Sequence, residues 1–295
     1  MKISDLFGSK KCVLSFEVFP PKKESGVNTI YDTLENLKNL KPDFISVTYG
    51  AGGYANGVNL TSEIAARIKR VYNIEPLAHL TCINSGKSDV LNVLSELSSQ
   101  GISNVLALRG DRVEGAAASD FTYASELIPV IKNAGDFDIA GACYPEGHIE
   151  SSGLDEDIIH LKNKVDSGLS HLITQLFFDN SLFYSFMEKI QKAGIRAPVQ
   201  AGIMPVINKK QIERIVSLCG VSLPVKFTKI MNRYEGNPEA LRDAGIAYAV
   251  EQCVDLITSG TRGLHIYTMN NPYVAQKITE SIGSLIRCVN ENPEQ

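Results

Sequence analysis

Eight short apolar runs punctuate the chain, at residues 13–19, 44–48, 77–81, 105–108, 139–144, 172–177, 199–204 and 264–268. They are rich in β-branched residues, and none alternates cleanly with polar positions as a sheet wetted on one face would. Strands buried on both faces are what a parallel sheet covered by helices requires. The intervening segments carry helical periodicity: Ile30, Leu34, Leu37 and Leu40 share one face, as do Val90, Leu94 and Leu97. The same holds for Ile158, Leu161 and Val165, for Leu182, Phe186 and Ile190, and for Val274, Ile278 and Ile282 near the end.

The order is therefore strand then helix, repeated, with successive strands starting roughly thirty residues apart. The last interval is about twice as long and contains an additional helix, with Asn237 as N-cap, Pro238 and Glu239 in its first turn, and a stop at Gly260. Eight such units predict an α/β fold, a (β/α)8 TIM barrel with an extra helix between the last two strands. No Pro/Gly/Ser-rich linker divides the chain, so residues 1–295 are expected to form one catalytic domain. The competing architecture is an open Rossmann-like sheet, supported by Gly50-Ala51-Gly52-Gly53-Tyr54-Ala55 after a strand. Against it, the next strand ends in His79-Leu80-Thr81-Cys82, with no acidic residue to hold a ribose. A loop after the second barrel strand accounts for the same residues.

Composition narrows the partners rather than the fold. At 295 residues, with 29 basic and 33 acidic side chains and a net charge of −4, the chain has no basic tract suited to nucleic acid or an acidic membrane. Six scattered cysteines without a C-x-x-C pair, and an N-terminus lacking a signal-peptide core, predict a reducing, cytoplasmic setting. No apolar run is long enough to cross a bilayer.

In a barrel the C-terminal strand ends converge on one mouth, so those positions are where chemistry is sought. They hold Glu17, Thr48, Tyr49, His79, Arg109, Asp111, Tyr144, His148, Gln175, Tyr267 and Asn270. Glu17 lies in the apolar run Ser15-Phe16-Glu17-Val18-Phe19, where burial is expected to keep it protonated as a general acid; the alternative is a carboxylate paired with Arg or Lys. Asp111 follows Arg109 and Gly110, and reads equally as a ligand group or as the partner of an Arg–Asp pair. His79 is open to three readings, proton shuttle, core histidine or metal ligand, and no second His or Cys at ligand spacing supports the metal. Asp157, His160 and Lys164 share one helix face, either as a solvated surface or at the edge of the mouth, where Lys164 could balance a phosphate.

These segments, in order, resemble the bacterial methylenetetrahydrofolate reductase family: Ser15-Phe16-Glu17 with Phe19-Pro20-Pro21, Ser46-Val47-Thr48-Tyr49-Gly50, His79-Leu80-Thr81-Cys82, Leu108-Arg109-Gly110-Asp111, Tyr144-Pro145-Glu146, Thr174-Gln175 and Tyr267-Thr268. The resemblance implies an FAD-containing barrel that reduces 5,10-methylenetetrahydrofolate to 5-methyltetrahydrofolate. NADH or NADPH passes hydride to the flavin and leaves, and the folate then takes its place. By similarity, Glu17 and Asp111 are catalytic: Glu17 protonates folate N10, and Asp111 tunes the flavin and stabilises the iminium cation. The FAD contacts implied are Thr48, Tyr49, Ala51, His79, Arg109, Gly110, Asp111, Tyr123, Ala124, Tyr144, His148, Asp157, His160 and Lys164. The folate contacts implied are Glu17, Thr48, Asp111, Gln175, Gln211, Tyr267 and Asn271. Asn271 stands where close relatives carry arginine, and His160 stands in place of an asparagine. A homo-oligomer is expected from the relatives. The same flavin could instead be fed by an iron–sulfur protein partner, and a flavin-free folate-binding or lyase barrel is the rival from another class.

Overall fold

The first strand, β1 (Val13–Val18), shows how the sequence separates the two sides of the sheet. Leu14, Phe16 and Val18 are buried in the apolar layer between strands and helices, together with Ile30 and Leu34. Ser15 and Glu17, two residues apart, take the opposite face, where their partners are other strands' polar side chains. The computed structural model describes residues 1–21, 26–49, 60–112 and 119–291, with only the backbone described at Lys209, Lys210, Gln211 and Arg214.

Seven more strands follow: β2 (Phe44–Val47), β3 (Glu75–Thr81), β4 (Asn104–Leu108), β5 (Asp138–Cys143), β6 (His171–Thr174), β7 (Val199–Ile203) and β8 (Gly263–Tyr267). Each pairs in parallel with the next and β8 returns to β1, closing an eight-stranded barrel. The (β/α)8 expectation is met, and the open-sheet alternative is excluded by the β1–β8 pairing. Gly50-Ala51-Gly52-Gly53-Tyr54-Ala55 lies outside the described residues. Register brings Glu17 level with Ser46 on one side and Tyr267 on the other.

The helices among the described residues are α1 (Leu6–Ser9), α2 (Val27–Leu37), α3 (Leu60–Tyr72), α4 (Lys87–Ser99), α5 (Ala124–Ala134), α6 (Leu154–Asp166), α7 (Asn180–Lys192), α8 (Lys209–Cys219), α9 (Val225–Tyr234), α10 (Pro238–Thr258) and α11 (Pro272–Glu291). The long last interval thus holds three helices. The capping signal at Asn237 is real, since its side chain accepts from Ala240 N at 3.1 Å. That helix, α10, packs on β7, α7, α9 and α11 as the barrel's own outer helix, so the additional pieces are α8 and α9. They carry a separate apolar cluster in which Ile212, Val221, Phe227 and Met231 meet Leu176, Phe178, Met204 and Val206 from the loops after β6 and β7. This accounts in part for the sixth apolar run outlasting its strand: Leu176 packs under this insertion, whereas Phe177 joins the main core against Phe183.

The barrel interior changes character along its axis. At the N-terminal end Val13, Phe44, Leu77, Leu106, Ala140 and Ile173 meet Ile3, Leu6 and Phe7, so the amino-terminal segment plugs the floor. Backbone contacts hold the plug: Ile3 N donates to Asn104 Oδ1 at 2.9 Å, Ser4 N to Asp138 Oδ2 at 2.8 Å, and Arg262 to the Phe7 and Lys10 carbonyls. Above this floor lie Ser15, Ser46, Gln200 and His265, all fully buried. A floor closed by apolar packing leaves the opposite end as the place where polar interior groups can meet a ligand.

Candidate active site

Glu17 sits near the top of β1 with its side chain 18% exposed. Its Oε2 is approached by three groups: His265 Nε2 at 3.4 Å, His79 Nε2 at 3.5 Å and Ser46 Oγ at 3.5 Å. The His79 contact lacks hydrogen-bond geometry, and no other partner reaches that nitrogen among the described residues. Burial pushes the Glu17 carboxyl up, but the His265 hydrogen bond, the two imidazoles and Ser46 outweigh it, holding it below the ordinary carboxylate range. The expectation of a proton retained through burial is therefore corrected: with the mouth open, the surrounding donors favour the carboxylate. Among the described residues no Arg or Lys pairs with Glu17, the alternative considered from the sequence. His79 is pushed down to about 4 by burial and is neutral at pH 7.

The loop after β8 fixes the rim beside Glu17. Thr268 Oγ1 donates to the Glu17 carbonyl at 2.6 Å, and Asn270 exchanges two bonds with the Phe19 backbone, at 3.0 and 2.8 Å. Tyr267 OH donates to the Thr174 carbonyl at 2.7 Å, and burial raises the phenol far above its usual range. Gly202 on β7 makes this possible. A Cβ there would lie 2.4 Å from Thr174 O and 2.8 Å from the Tyr267 ring and hydroxyl.

The other expected residues spread around the same end of the barrel. Thr48 and Tyr49 follow β2, and Thr48 O accepts from Thr61 Oγ1 at 3.0 Å, tying the strand end to α3. Gly110, at φ +82, follows Arg109 and packs against Thr81. Arg109 does not pair with Asp111: its guanidinium makes a bidentate contact with Glu150 in the loop after β5, with Nη2 to Oε1 at 2.7 Å. Asp111 is exposed, and its carbonyl accepts from Asn84 Nδ2 at 2.7 Å. Tyr144 and His148 meet edge to face at 4.8 Å. Tyr123 is exposed at the start of α5, which begins with Ala124.

On α6 the face shared by Asp157, His160 and Lys164 divides. His160 is exposed, whereas Lys164 reaches inward and donates to the Ala142 carbonyl at 2.9 Å. Burial pushes Lys164 down and Asp157 up, with each charge partly offsetting the other's shift. Gln175 folds back so that its Oε1 accepts from Leu176 N at 2.9 Å. Asn271 Oδ1 accepts from Val274 N at 3.3 Å, capping the first turn of α11, a task an arginine could not perform. Ala51 lies outside the described residues, as does the Gln211 side chain.

Sequence reasoning missed His265 and Ser46, which face Glu17 directly. Between Leu264 and Ile266, the histidine reads as one buried strand position among others. Its period-two relation to Tyr267 was the available signal. A groove of about 1150 Å³ between α2 and α11, lined by Asn36, Tyr273 and Arg287 among others, shares no residue with this set.

Comparison with known proteins follows the same residues. The family model described as methylenetetrahydrofolate reductase matches residues 2–283. The chain belongs to the methylenetetrahydrofolate reductase family. It is 33% identical over 270 residues to the 5,10-methylenetetrahydrofolate reductases of Pectobacterium carotovorum subsp. carotovorum and Escherichia coli strain K12, covering 92% of this chain and 90% of each relative. It is 36% identical over 298 residues to methylenetetrahydrofolate reductase (NADH) 1 of Arabidopsis thaliana, covering 96% of this chain but 50% of the relative. The chain thus spans about half the length of the plant relatives it matches. Among solved structures, an uncharacterised Clostridium thermocellum protein, described as binding two copies of 5-methyl-5,6,7,8-tetrahydrofolic acid, superposes with a TM-score of 0.70 over 99% of both chains. At 12% identity, that likeness concerns the fold.

Proposed function

We propose that the protein is a flavin-dependent reductase of 5,10-methylenetetrahydrofolate, producing 5-methyltetrahydrofolate with electrons from NADH or NADPH. The observation that carries the reading is Glu17, a largely buried carboxyl at the barrel mouth, with His265 and Ser46 hydrogen-bonded to one of its oxygens and His79 3.5 Å from the same atom. Family membership supports the substrate class, and the names of the plant relatives, methylenetetrahydrofolate reductase (NADH), support NADH as donor.

The mouth fits FAD on its β4, β5 and α6 side. Two cations there, Arg109 and Lys164, are held by exchangeable partners, Glu150 and a backbone carbonyl, and suit a diphosphate. Gly110 in a left-handed conformation turns the backbone after β4, with Thr81 packed where a side chain would point. The residues that would hold the cofactor are Thr48, Tyr49, Ala51, His79, Arg109, Gly110, Asp111, Tyr123, Ala124, Tyr144, His148, Asp157, His160 and Lys164. When bound, FAD supplies hydride transfer from the reduced nicotinamide to the folate methylene carbon.

Glu17 protonates folate N10, and the N10–methylene bond breaks to leave a cationic iminium at N5. The proton is available once substrate covers the mouth, because excluding the remaining water favours the neutral acid. On losing it, the carboxylate is received by donors already in place, His265 Nε2 and Ser46 Oγ, so the charge left behind needs little reorganisation. Asp111 supplies the ionised carboxylate that tunes the flavin and stabilises the iminium cation. Gln175, Gln211, Tyr267, Thr48 and Asn271 orient the folate. Asn271 offers a neutral contact where a cation would clamp a carboxylate.

An anaerobic spectrum of the purified protein tests this reading. A yellow protein should bleach on adding NADH or NADPH and recover colour on adding 5,10-methylenetetrahydrofolate. Colour that persists with nicotinamide points to a protein electron donor, and a colourless protein that takes up no FAD refutes the flavin.

A further inference from the structure

The barrel interior beneath Glu17 contains a polar chain that the proposed reaction does not itself use. Gln200 on β7, Ser15 on β1 and His265 on β8 are each fully buried. Gln200 Nε2 lies 3.4 Å from the Val13 carbonyl and 3.1 Å from Ser15 Oγ. Ser15 Oγ lies 2.7 Å from His265 Nδ1 and 3.4 Å from the Leu264 carbonyl. His265 Nε2 lies 3.4 Å from both Glu17 Oε2 and Ser46 Oγ. The space for Gln200 is built in: a Cβ at Gly263 would come within 3.0 Å of its Cγ and Nε2.

Giving the shortest contact, Ser15 Oγ to His265 Nδ1 at 2.7 Å, its hydrogen first leads to one arrangement of protons along this chain. The Val13 carbonyl can only accept, so the Gln200 amide must turn its nitrogen to that side. The same nitrogen then donates to Ser15, using one lone pair of the hydroxyl. The single Ser15 proton goes to the nearer acceptor, His265 Nδ1, rather than to the Leu264 carbonyl. With Nδ1 accepting, the neutral imidazole carries its hydrogen on Nε2, facing the Glu17 carboxylate. We infer that Gln200 and Ser15 are positioning residues that fix the tautomer of His265, and through it set the pH at which Glu17 takes up its proton.

The inference rests on the reading of Glu17 as the general acid. Among the described residues, Glu17 also meets Ser46 from β2, His79 from β3 and Tyr267 from β8. His265 also meets the Tyr267 ring edge on at 5.3 Å and the Phe44 ring at 6.2 Å, and it interacts electrostatically with His79 and His171. A hydrogen on Nε2 favours the ionised carboxyl, whereas an Nε2 lone pair accepts a hydrogen bond from the protonated one. Breaking the relay above His265 should therefore let Glu17 hold its proton to higher pH.

The test uses the full chain with FAD bound. Nitrogen NMR of the histidine-labelled protein should show His265 protonated at Nε2 and not at Nδ1. In rapid-mixing assays of folate reduction, Ser15→Ala and Gln200→Leu should each move the alkaline fall in rate upward by about half to one pH unit. Ser15→Thr, which keeps the hydroxyl, should restore the original midpoint. A merely structural defect would lower the rate at every pH without moving the midpoint. A hydrogen found on Nδ1 of His265, or an unmoved midpoint in both variants, overturns the inference. The spectrum of the unaltered protein decides the tautomer even if the variants fail to fold. Undiminished folate reduction by Glu17→Gln would instead remove the general acid, a failure that leaves the tautomer measurement standing.

Discussion

Replacing Glu17 by glutamine separates chemistry from architecture at the centre of the site. The amide has the same shape, and its Oε1 can accept from His265 and Ser46 where the carboxylate Oε2 now does. The His265 and Ser46 contacts, at 3.4 and 3.5 Å, are weak hydrogen bonds, and replacing a partly buried charge by a neutral amide offsets some of the loss. Stability should change by less than about 1 kcal/mol. The reaction loses far more, because the amide has no proton to give to N10. General acid catalysis contributes roughly 10²- to 10⁴-fold, or about 3 to 5 kcal/mol of barrier. Anaerobic rapid mixing that follows flavin absorbance resolves the two half-reactions. Flavin reduction by nicotinamide should stay within a few-fold of the parent rate, while folate reduction slows by two to four orders of magnitude and loses its pH dependence. Equal losses in both halves would show a damaged site rather than a missing acid, and full retention of folate reduction would refute the role.

Three other outcomes follow from the packing and the buried imidazoles. Gly202→Ala would drive a methyl against Thr174 O and the Tyr267 ring, breaking the Tyr267–Thr174 hydrogen bond, and should cost about 2 to 4 kcal/mol in urea unfolding while raising the folate KM. Gly245→Ala on α10 would place its Cβ 1.7 Å from the Val206 carbonyl, a backbone atom with little room to yield, and should cost about 3 kcal/mol or more. His79 and His171 are held near 4 by burial, against about 6.5 unfolded, so the unfolded chain binds more protons between those values. Stability should thus fall as pH drops from about 6.5 to 4, by up to about 3 kcal/mol for each histidine, and His171→Phe should remove its share of that slope in urea midpoints measured across the range.

The strand-and-helix rhythm was legible because helix-covered parallel strands leave continuous apolar runs, and all eight runs correspond to strands. Strand order and closure were legible too, since eight similar units have few other ways to bury both faces. The site was legible only as a set of strand ends. Glu17 stood out because a carboxylate in an apolar run is unusual, and its place at the mouth is confirmed by its register with Ser46 and Tyr267. Its resting charge was misjudged because burial is the one influence visible in sequence. The neighbours that outweigh it, His265 and His79, arrive from strands far away along the chain.

Other matters belonged to the tertiary structure alone. Arg109 turned from its neighbour Asp111 to Glu150 because a guanidinium seeks a bidentate partner wherever the loops bring one. Asn271 and Gln175 are engaged by local backbone groups, contacts that residue identity alone does not reveal. The long final interval contained two more helices than the one its capping signal announced, and these built a separate apolar cluster over the loops after β6 and β7. Period and composition determined which faces are buried, because burial of apolar surface acts on every residue in the same way. Which polar groups meet, and where their protons rest, was decided by barrel closure, because hydrogen bonds and charge interactions depend on distances that only the folded chain sets.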